Sequence, residues 1–406
     1  MKILHTSDWH LGKYLGSFSR LPEQQEVMAE ICEIADEHEP DAVLVAGDLF
    51  DTFNPSAAAV DLFYQTLKRL TNNGRRPVVA IAGNHDSPER IENPDPLARE
   101  CGIHLLGFPH SHPQPCRLDC GLEITRSAPG FIELSIPGCA DPLRIIATPY
   151  ASEFRLKRFL GNEDPELQMR EILQEHWLDL AQQFCDNKGV NVLMAHLYMT
   201  RRGAEAPPEP EDEKPILHVG GAQQIFTESI PYQIQYVALG HLHGFFPVDK
   251  NPCPAVYCSS PLCYSFSEAG QQKNVVLIDV EPGNAASYSA VPLSSGRPLL
   301  RKAFEEVDLA LQWLRENPTA LVELTLFTDT YLSGKDKRAL QQAHDGIVQI
   351  IPRMTGIATG AEDHHIIELS KGRTALFSDY FQHKYGQQPG EELLALFSEM
   401  LGKDED

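Results

Sequence analysis

Residues 80–86 read Ala-Ile-Ala-Gly-Asn-His-Asp. They close a short apolar run, 77–82, that carries Val78, Val79 and Ile81 and stops at Gly83. An unbroken apolar run of this length fits a parallel strand buried on both faces. Polar side chains straight after it fit a site at the strand's carboxyl end. Gly83 allows the backbone to turn tightly, so that Asn84 and His85 point back over the sheet edge. Asn84 offers a neutral oxygen ligand, and His85 can move a proton. Taken alone, a Gly-Asn-His-Asp turn does no more than cap a strand.

Four further apolar runs end in the same way. Residues 2–6 lead into Ser7-Asp8-Trp9-His10, and 42–46 into Gly47-Asp48-Leu49-Phe50-Asp51. Residues 191–195 lead into His196, and 236–239 into Gly240-His241-Leu242-His243. A single histidine after a strand is usually a satisfied core or surface residue. The joint pattern lifts His10, His85, His196, His241 and His243 out of that class. His5, His38, His104, His110, His112 and His176 have no comparable setting and read as structural.

Asp8, His10, Asp48, Asn84, His196, His241 and His243 are therefore candidate metal ligands. They are too many for one ion with roughly four to six positions, and they suit two ions that share a carboxylate. Mixed imidazole, carboxylate and amide donors favour Mn, Fe or Zn over Ca or Mg, which prefer oxygen shells. Two neighbouring cations are a device for phosphoester hydrolysis: they lower the pKa of a bound water and neutralise charge on the phosphorus oxygens. His85 sits beside a ligand without being needed as one, which places it to protonate the leaving oxygen or hold the phosphoryl group.

The 406 residues are enough for two or three folded units and a large core. The chain is acidic, with 34 Lys+Arg against 57 Asp+Glu, a net charge of −23. Broad neutralisation of a nucleic-acid backbone by the chain alone is not expected from this charge; an anionic substrate needs bound cations, a local basic patch or a basic partner. Arg201 and Arg202, close after His196, are candidates for that patch. The nine cysteines are odd in number and scattered, which suits a reducing cytosol. Cys116 and Cys120 lack a second pair and read as structural thiols. With no secretory apolar region at the start and no apolar stretch of membrane-spanning length, a cytoplasmic protein without membrane contact is expected.

Residues 1–102 alternate strand and helix, with helices over 22–38 and 56–70. Ser56 is the N-cap of the second, and Val60, Leu62, Phe63, Leu67 and Leu70 form its apolar stripe. That stripe serves the core or, through Phe63 and Leu67, a second subunit. Strands at 130–136 and 143–147 and a helix over 167–186 point to a second sheet and a sandwich. The loop 200–219 holds the acidic, proline-rich run 207–215, which cannot pack a core. From 299 a strand–helix–strand module follows, and after 374 two short helices, 376–386 and 390–401, carry Phe377, Tyr380, Phe381 and Tyr385, then Leu393, Leu394, Phe397 and Leu401. A helix pair this short needs its apolar face buried elsewhere.

Asp-x-His, Gly-Asp-x-x-Asp, Gly-Asn-His-Asp, a lone His and Gly-His-x-His, in this order, resemble the motifs of the calcineurin-like metallophosphoesterases. The fuller stretches 5–12, 46–52 and 83–87 are similar to the SbcD-type nuclease subunits of bacterial SbcC–SbcD DNA repair complexes, and the likeness covers nearly the whole chain. It implies an α/β fold: a two-sheet αββα sandwich over 1–282, a small α/β capping domain over 299–374 and C-terminal helices over 375–406. It also implies that Asp8, His10, Asp48 and His243 hold one ion and that Asp48, Asn84, His196 and His241 hold the other. His85 would then be the proton donor and Asp86 the residue that orients it. The implied ions are manganese and the implied substrate is DNA, cut by double-strand 3'-5' exonuclease and single-strand endonuclease action. The implied assembly is a homodimer within a heterotetramer with an SbcC-like ATPase, whose coiled coil the C-terminal helices grip. One departure stands out: the family's Gly-Ser-Pro is here Ser259-Ser260-Pro261, and Ser in place of Gly narrows the backbone's options.

Two rivals are a general metallophosphoesterase acting on phosphoproteins or small phosphodiesters, and an inactive scaffold. Against the first, Asp51 is followed by Thr-Phe-Asn-Pro rather than the Arg-Gly typical of protein phosphatases. Against the second, each buried ligand carries a cost that a dead site need not keep.

Overall fold

The computed structural model describes residues 1–156, 165–204, 224–328 and 332–354, with ten further positions between 376 and 397. Packing divides the chain into two units, Met1–Arg353 and Met354–Asp406.

The first unit is built on two sheets. One has six strands, in the order Ser287–Pro292, Asn274–Asp279, Lys2–Thr6, Ala42–Ala46, Val78–Ile81 and Ile103–Leu106. Its last four run parallel, with Leu4 opposite Val43 and Val43 opposite Val78. The other has seven, from Phe245–Asp249 through Ala255–Cys258, Tyr236–Gly240, Val190–His196, Leu143–Thr148 and Phe131–Ser135 to Glu123–Ala128. Its four central strands are parallel.

The continuous apolar runs follow from burial on both faces. Val43 and Val45 point into one core with Val27, Ile31, Phe63 and Leu67 of helices Leu21–His38 and Ala57–Leu70. Ala42, Leu44 and Ala46 point the other way, against Ile145, Val192, Met194 and Ala238 of the facing sheet. A third core packs Leu173, Trp177 and Ala181 of helix Pro165–Phe184 on the outer side of the seven-stranded sheet. The layers are helix, sheet, sheet, helix, the αββα sandwich expected.

Two expectations change in detail and a third holds. The six-stranded sheet takes its edge strand, Ser287–Pro292, from beyond the expected border at 282, because that strand pairs antiparallel with Asn274–Asp279. Phe63 and Leu67 are fully buried in their own core, so they are not available to a second subunit. The Ser56 cap is as expected, its hydroxyl accepting from the Ala59 N–H at 3.3 Å.

Residues from 299 form the expected small module. Strands Leu299–Phe304, Leu321–Thr328 and Ile347–Met354 make a sheet packed by helices Val307–Glu316 and Gly334–Ala343 around Ala310, Leu314, Val322, Leu324 and Leu340. The acidic run 207–215 and the border at 374/375 lie outside the described residues, as do Tyr385 and Leu401. In the second unit, the Phe377 ring stacks on Phe397 with centroids 4.0 Å apart. These two residues of the expected C-terminal helices therefore pack on each other.

Candidate metal centre

All five strands that carry candidate ligands end on one rim of the sandwich. Lys2–Thr6, Ala42–Ala46 and Val78–Ile81 arrive from one sheet and Val190–His196 and Tyr236–Gly240 from the other. All run parallel within their sheets, so their carboxyl ends lie at the same edge. Asp8, His10, Asp48, His196, His241 and His243 are buried there, while Asn84 and His85 are partly open.

The contacts fall into two groups about one carboxylate. His10 Nε2 lies 3.0 Å from His243 Nε2, and Asp8 completes a cluster with them. His196 Nε2 lies 2.9 Å from Asn84 Oδ1, and His241 Nδ1 lies 3.2 Å from the same oxygen. Asp48 Oδ2 sits between the groups, 3.6 Å from His10 Nε2 and 3.2 Å from His196 Nε2.

The donor set fits divalent cations. His196 donates its Nδ1–H to the Ala46 carbonyl at 2.9 Å. In the neutral ring this leaves the Nε2 lone pair aimed at Asn84 Oδ1 and Asp48 Oδ2, so three acceptor atoms converge there. Burial works to lower the His196 pKa, but Asp48 and Asp8 outweigh it and hold it at about 9. The field there favours a positive charge. Burial pushes the Asp8 carboxyl up despite the nearby histidines, with Asp48 adding to the rise.

Close backbone approach builds the rim. A Cβ on Gly47 would lie 2.1 Å from His196 Nδ1, and one on Gly83 would lie 2.0 Å from Asp48 Oδ1. The loops brace one another: Asp8 N–H donates to the Gly47 carbonyl, His241 N–H to Asp8 Oδ1 and His85 N–H to Asp48 Oδ1.

His85 Nδ1 lies 2.9 Å from the Asp51 carbonyl, a contact that in the neutral ring puts the proton on Nδ1. Asp86 acts on backbone, not on that ring. Its carboxylate accepts from the N–H groups of Gly83, Leu49 and Phe50 at 2.8–2.9 Å, tying the His85 loop to the Asp48 loop. Asp51 itself groups with His10 and His85, and its carboxylate pairs with Lys13 at 2.8 Å.

Three supporting residues escaped the sequence reading. Glu268 Oε1 is 3.3 Å from His243 Nδ1, and its other oxygen is 2.6 Å from Lys273 Nζ. Burial opposes ionisation of Glu268, yet His243 and Lys273 hold its carboxyl well below the usual range. The Ser265-x-x-Glu268 capping box is legible in sequence, but its reach to His243 is not. The third, Arg155, donates to the carbonyls of Gly83, Asn84 and Asp86. Arg201 and Arg202 are exposed, with the Arg202 guanidinium over the Phe226 ring. No helix among the described residues is long and apolar enough to cross a membrane.

Residues 1–245 match the family model described as calcineurin-like phosphoesterase. The chain is 36% identical over 415 residues to the SbcD subunit of nuclease SbcCD from Bacillus subtilis (strain 168), an overlap covering 98% of this chain and 97% of that protein. It is 32% identical over 304 residues to the SbcD subunit of nuclease SbcCD from Rhodobacter capsulatus, covering 74% and 71%. The protein of the same name from Staphylococcus epidermidis is 27% identical with the same coverage. Motif order, sandwich and relatives agree: the chain belongs to the calcineurin-like phosphoesterases and, within them, to the SbcD nuclease subunits.

Proposed function

We propose that this protein is a metal-dependent nuclease that hydrolyses DNA phosphodiester bonds as the nuclease subunit of an SbcC–SbcD-type complex. The observation that carries the reading is Asp48, whose single oxygen faces imidazoles of both ligand groups. In this reading Asp8, His10, Asp48 and His243 hold one divalent cation, and Asp48, Asn84, His196 and His241 the other. Bound there, such cations lower the pKa of water and offset charge growing on the phosphate. Manganese suits the mixed nitrogen and oxygen donors.

The chain's own residues supply the rest. Ala46 orients the His196 ring through its carbonyl, and Glu268 does the same for His243. His85, partly open and anchored through Nδ1, gives a proton from Nε2 to the leaving oxygen. Arg201 and Arg202 meet phosphates, and an SbcC-like ATPase provides much of the remaining positive surface that a chain of net charge −23 lacks. The 299–354 module takes the capping role. The C-terminal segment receives the ATPase coiled coil, in a heterotetramer built on a homodimer.

The test is a manganese-dependent assay on linear, hairpin and circular DNA, with and without the ATPase, beside a phosphoprotein and a small phosphodiester. DNA cleavage that needs the cation is expected. Turnover of the phosphoprotein with intact DNA would overturn the reading.

A further inference from the structure

Asn84 and His85 are the two site residues that are partly open, and both stand on a turn with no helix or strand of its own. The turn is nonetheless held from two sides. Its N–H groups face carboxylates: Gly83 N–H donates to Asp86 Oδ2 and His85 N–H to Asp48 Oδ1. Its carbonyls face one guanidinium. Arg155 Nη1 donates to the Gly83 carbonyl at 2.6 Å, and Nη2 donates to those of Asn84 at 3.3 Å and Asp86 at 2.8 Å.

Arg155 reaches this turn from the other sheet. It lies on the short helix Glu153–Leu156, which follows strand Leu143–Thr148 of the seven-stranded sheet, whereas the turn follows Val78–Ile81 of the six-stranded one. The intervening chain is stitched down as well, with Tyr150 N–H donating to the Ala82 carbonyl at 2.9 Å and the Tyr150 ring 5.2 Å from the guanidinium carbon. Arg155 is 4% exposed, and all three of its guanidinium hydrogen bonds end on the turn. A planar fork with fixed donors can meet three carbonyls in one geometry; a lysine ammonium on a flexible stem cannot reproduce it.

We propose that Arg155 is a positioning residue that sets the Asn84 oxygen and the His85 ring by gripping three carbonyls of their turn from across the sandwich. The inference rests on the two-cation reading above. It makes the two cation positions unequal. The one using Asn84 depends on Arg155; the one using Asp8, His10 and His243 does not.

The experiment is manganese titration of the full chain followed by electron paramagnetic resonance, with single-turnover DNA cleavage alongside, for wild type, Arg155→Ala and Arg155→Lys. Two manganese ions are expected in wild type. In Arg155→Ala one should stay at wild-type affinity and the other weaken by about 10–100-fold, the usual cost of removing a residue that orients a ligand. Cleavage should fall through kcat more than KM. Added guanidinium ion, at non-denaturing concentration, should restore part of the second affinity and of the rate, which a general loss of packing would not allow. If Arg155→Ala does not fold, Arg155→Lys decides by the same readouts, with the second ion weakened. Unchanged affinities and kcat in a folded variant would overturn the proposal, as would equal loss of both ions without guanidinium rescue. Fewer than two ions in wild type would instead overturn the two-cation reading itself.

Discussion

Gly47→Ala adds one methyl group where the His196 ring leaves no room. The new Cβ would lie 2.1 Å from Nδ1, 2.5 Å from Cγ and 2.8 Å from Cβ of His196, and Gly47 holds φ +92°. Two costs follow. A side chain in the left-handed region costs about 1–2 kcal/mol. Overpacking a filled site costs about 1–3 kcal/mol more, because the ring must retreat by roughly an ångström among fully buried neighbours. The sum, about 2–5 kcal/mol, should lower Tm by roughly 3–7 °C on the usual scaling for a folded unit of this size. Gly138→Ala separates the two costs. Its φ is +88° but nothing lies within 4 Å of its added Cβ, so it reports the backbone cost alone. Thermal unfolding and manganese titration of both variants should show the larger Tm loss in Gly47→Ala, with weaker binding of one cation. Equal Tm losses in the two variants, with both cation affinities intact, would refute the idea that Gly47 is there to seat His196.

His85→Ala should keep both cations and slow cleavage by about 10²–10⁴, the ordinary range for a general acid; loss of a cation would make His85 a ligand in its grouping with His10 and Asp51. Asp48→Ala should weaken both cations and His243→Ala mainly one, read by titration, and matching single-ion losses would remove the bridging role. Far from the site, burial tends to raise the Glu133 carboxyl, but hydrogen bonds from Arg126, Arg144 and Thr125 hold it at about 2 against an ordinary 4.5. The folded value is depressed, so its stabilisation is present above about pH 4.5 and fades as pH falls towards 2. At about 1.4 kcal/mol per pKa unit it amounts to ~3 kcal/mol at neutral pH. Glu133→Gln should therefore flatten the acid limb of the stability curve between those pH values, measured by urea unfolding.

The five strand ends were legible because each combines a run buried on both faces with a sudden polar stop, and both features are local. Helix positions followed from the apolar period, with helix Pro165–Phe184 displaced by two residues from the expected 167–186. What escaped notice acts through backbone atoms or across long sequence separations. Arg155 reaches carbonyls 69–72 residues away, and carbonyls carry no sequence signal. Phe63 and Leu67 fit a core or an interface by period, and the packing of Phe63 against Trp9 and Phe50 and the full burial of Leu67 in the same cluster assign them to the core. Ser259 was legible in a different way. Serine stands where the resemblance implies glycine, and the residue adopts φ +86°, the region where glycine is favoured. Its hydroxyl accepts from Asn274 N–H at 2.9 Å and lies 3.2 Å from the Asn274 carbonyl, contacts that a glycine could not make.

Strain and charge gather at this one rim, and together they make a last measurable claim. Asp8, His10, Asp48 and His241 hold φ of +54°, +44°, +47° and +110°, each a conformation that costs a non-glycine residue about 1 kcal/mol or more. Asp8 and Asp48 are both fully buried, and the Asp48 charge disfavours the ionised form of Asp8. The fold over-determines this arrangement, since the ligand loops bond each other's backbones and the sheets fix where those loops start. Little reorganisation is then left for a cation to bring about, and its charge offsets the carboxylate repulsion directly. Added manganese should raise Tm, by the equivalent of about 2.7 kcal/mol at a hundred times its Kd for one site. The rise should shrink in Asp48→Ala, where the carboxylate shared by both groups is gone. An inactive scaffold that carried these residues without using them would show no such concentration-dependent shift, and a Tm indifferent to manganese and to a chelator would favour that rival.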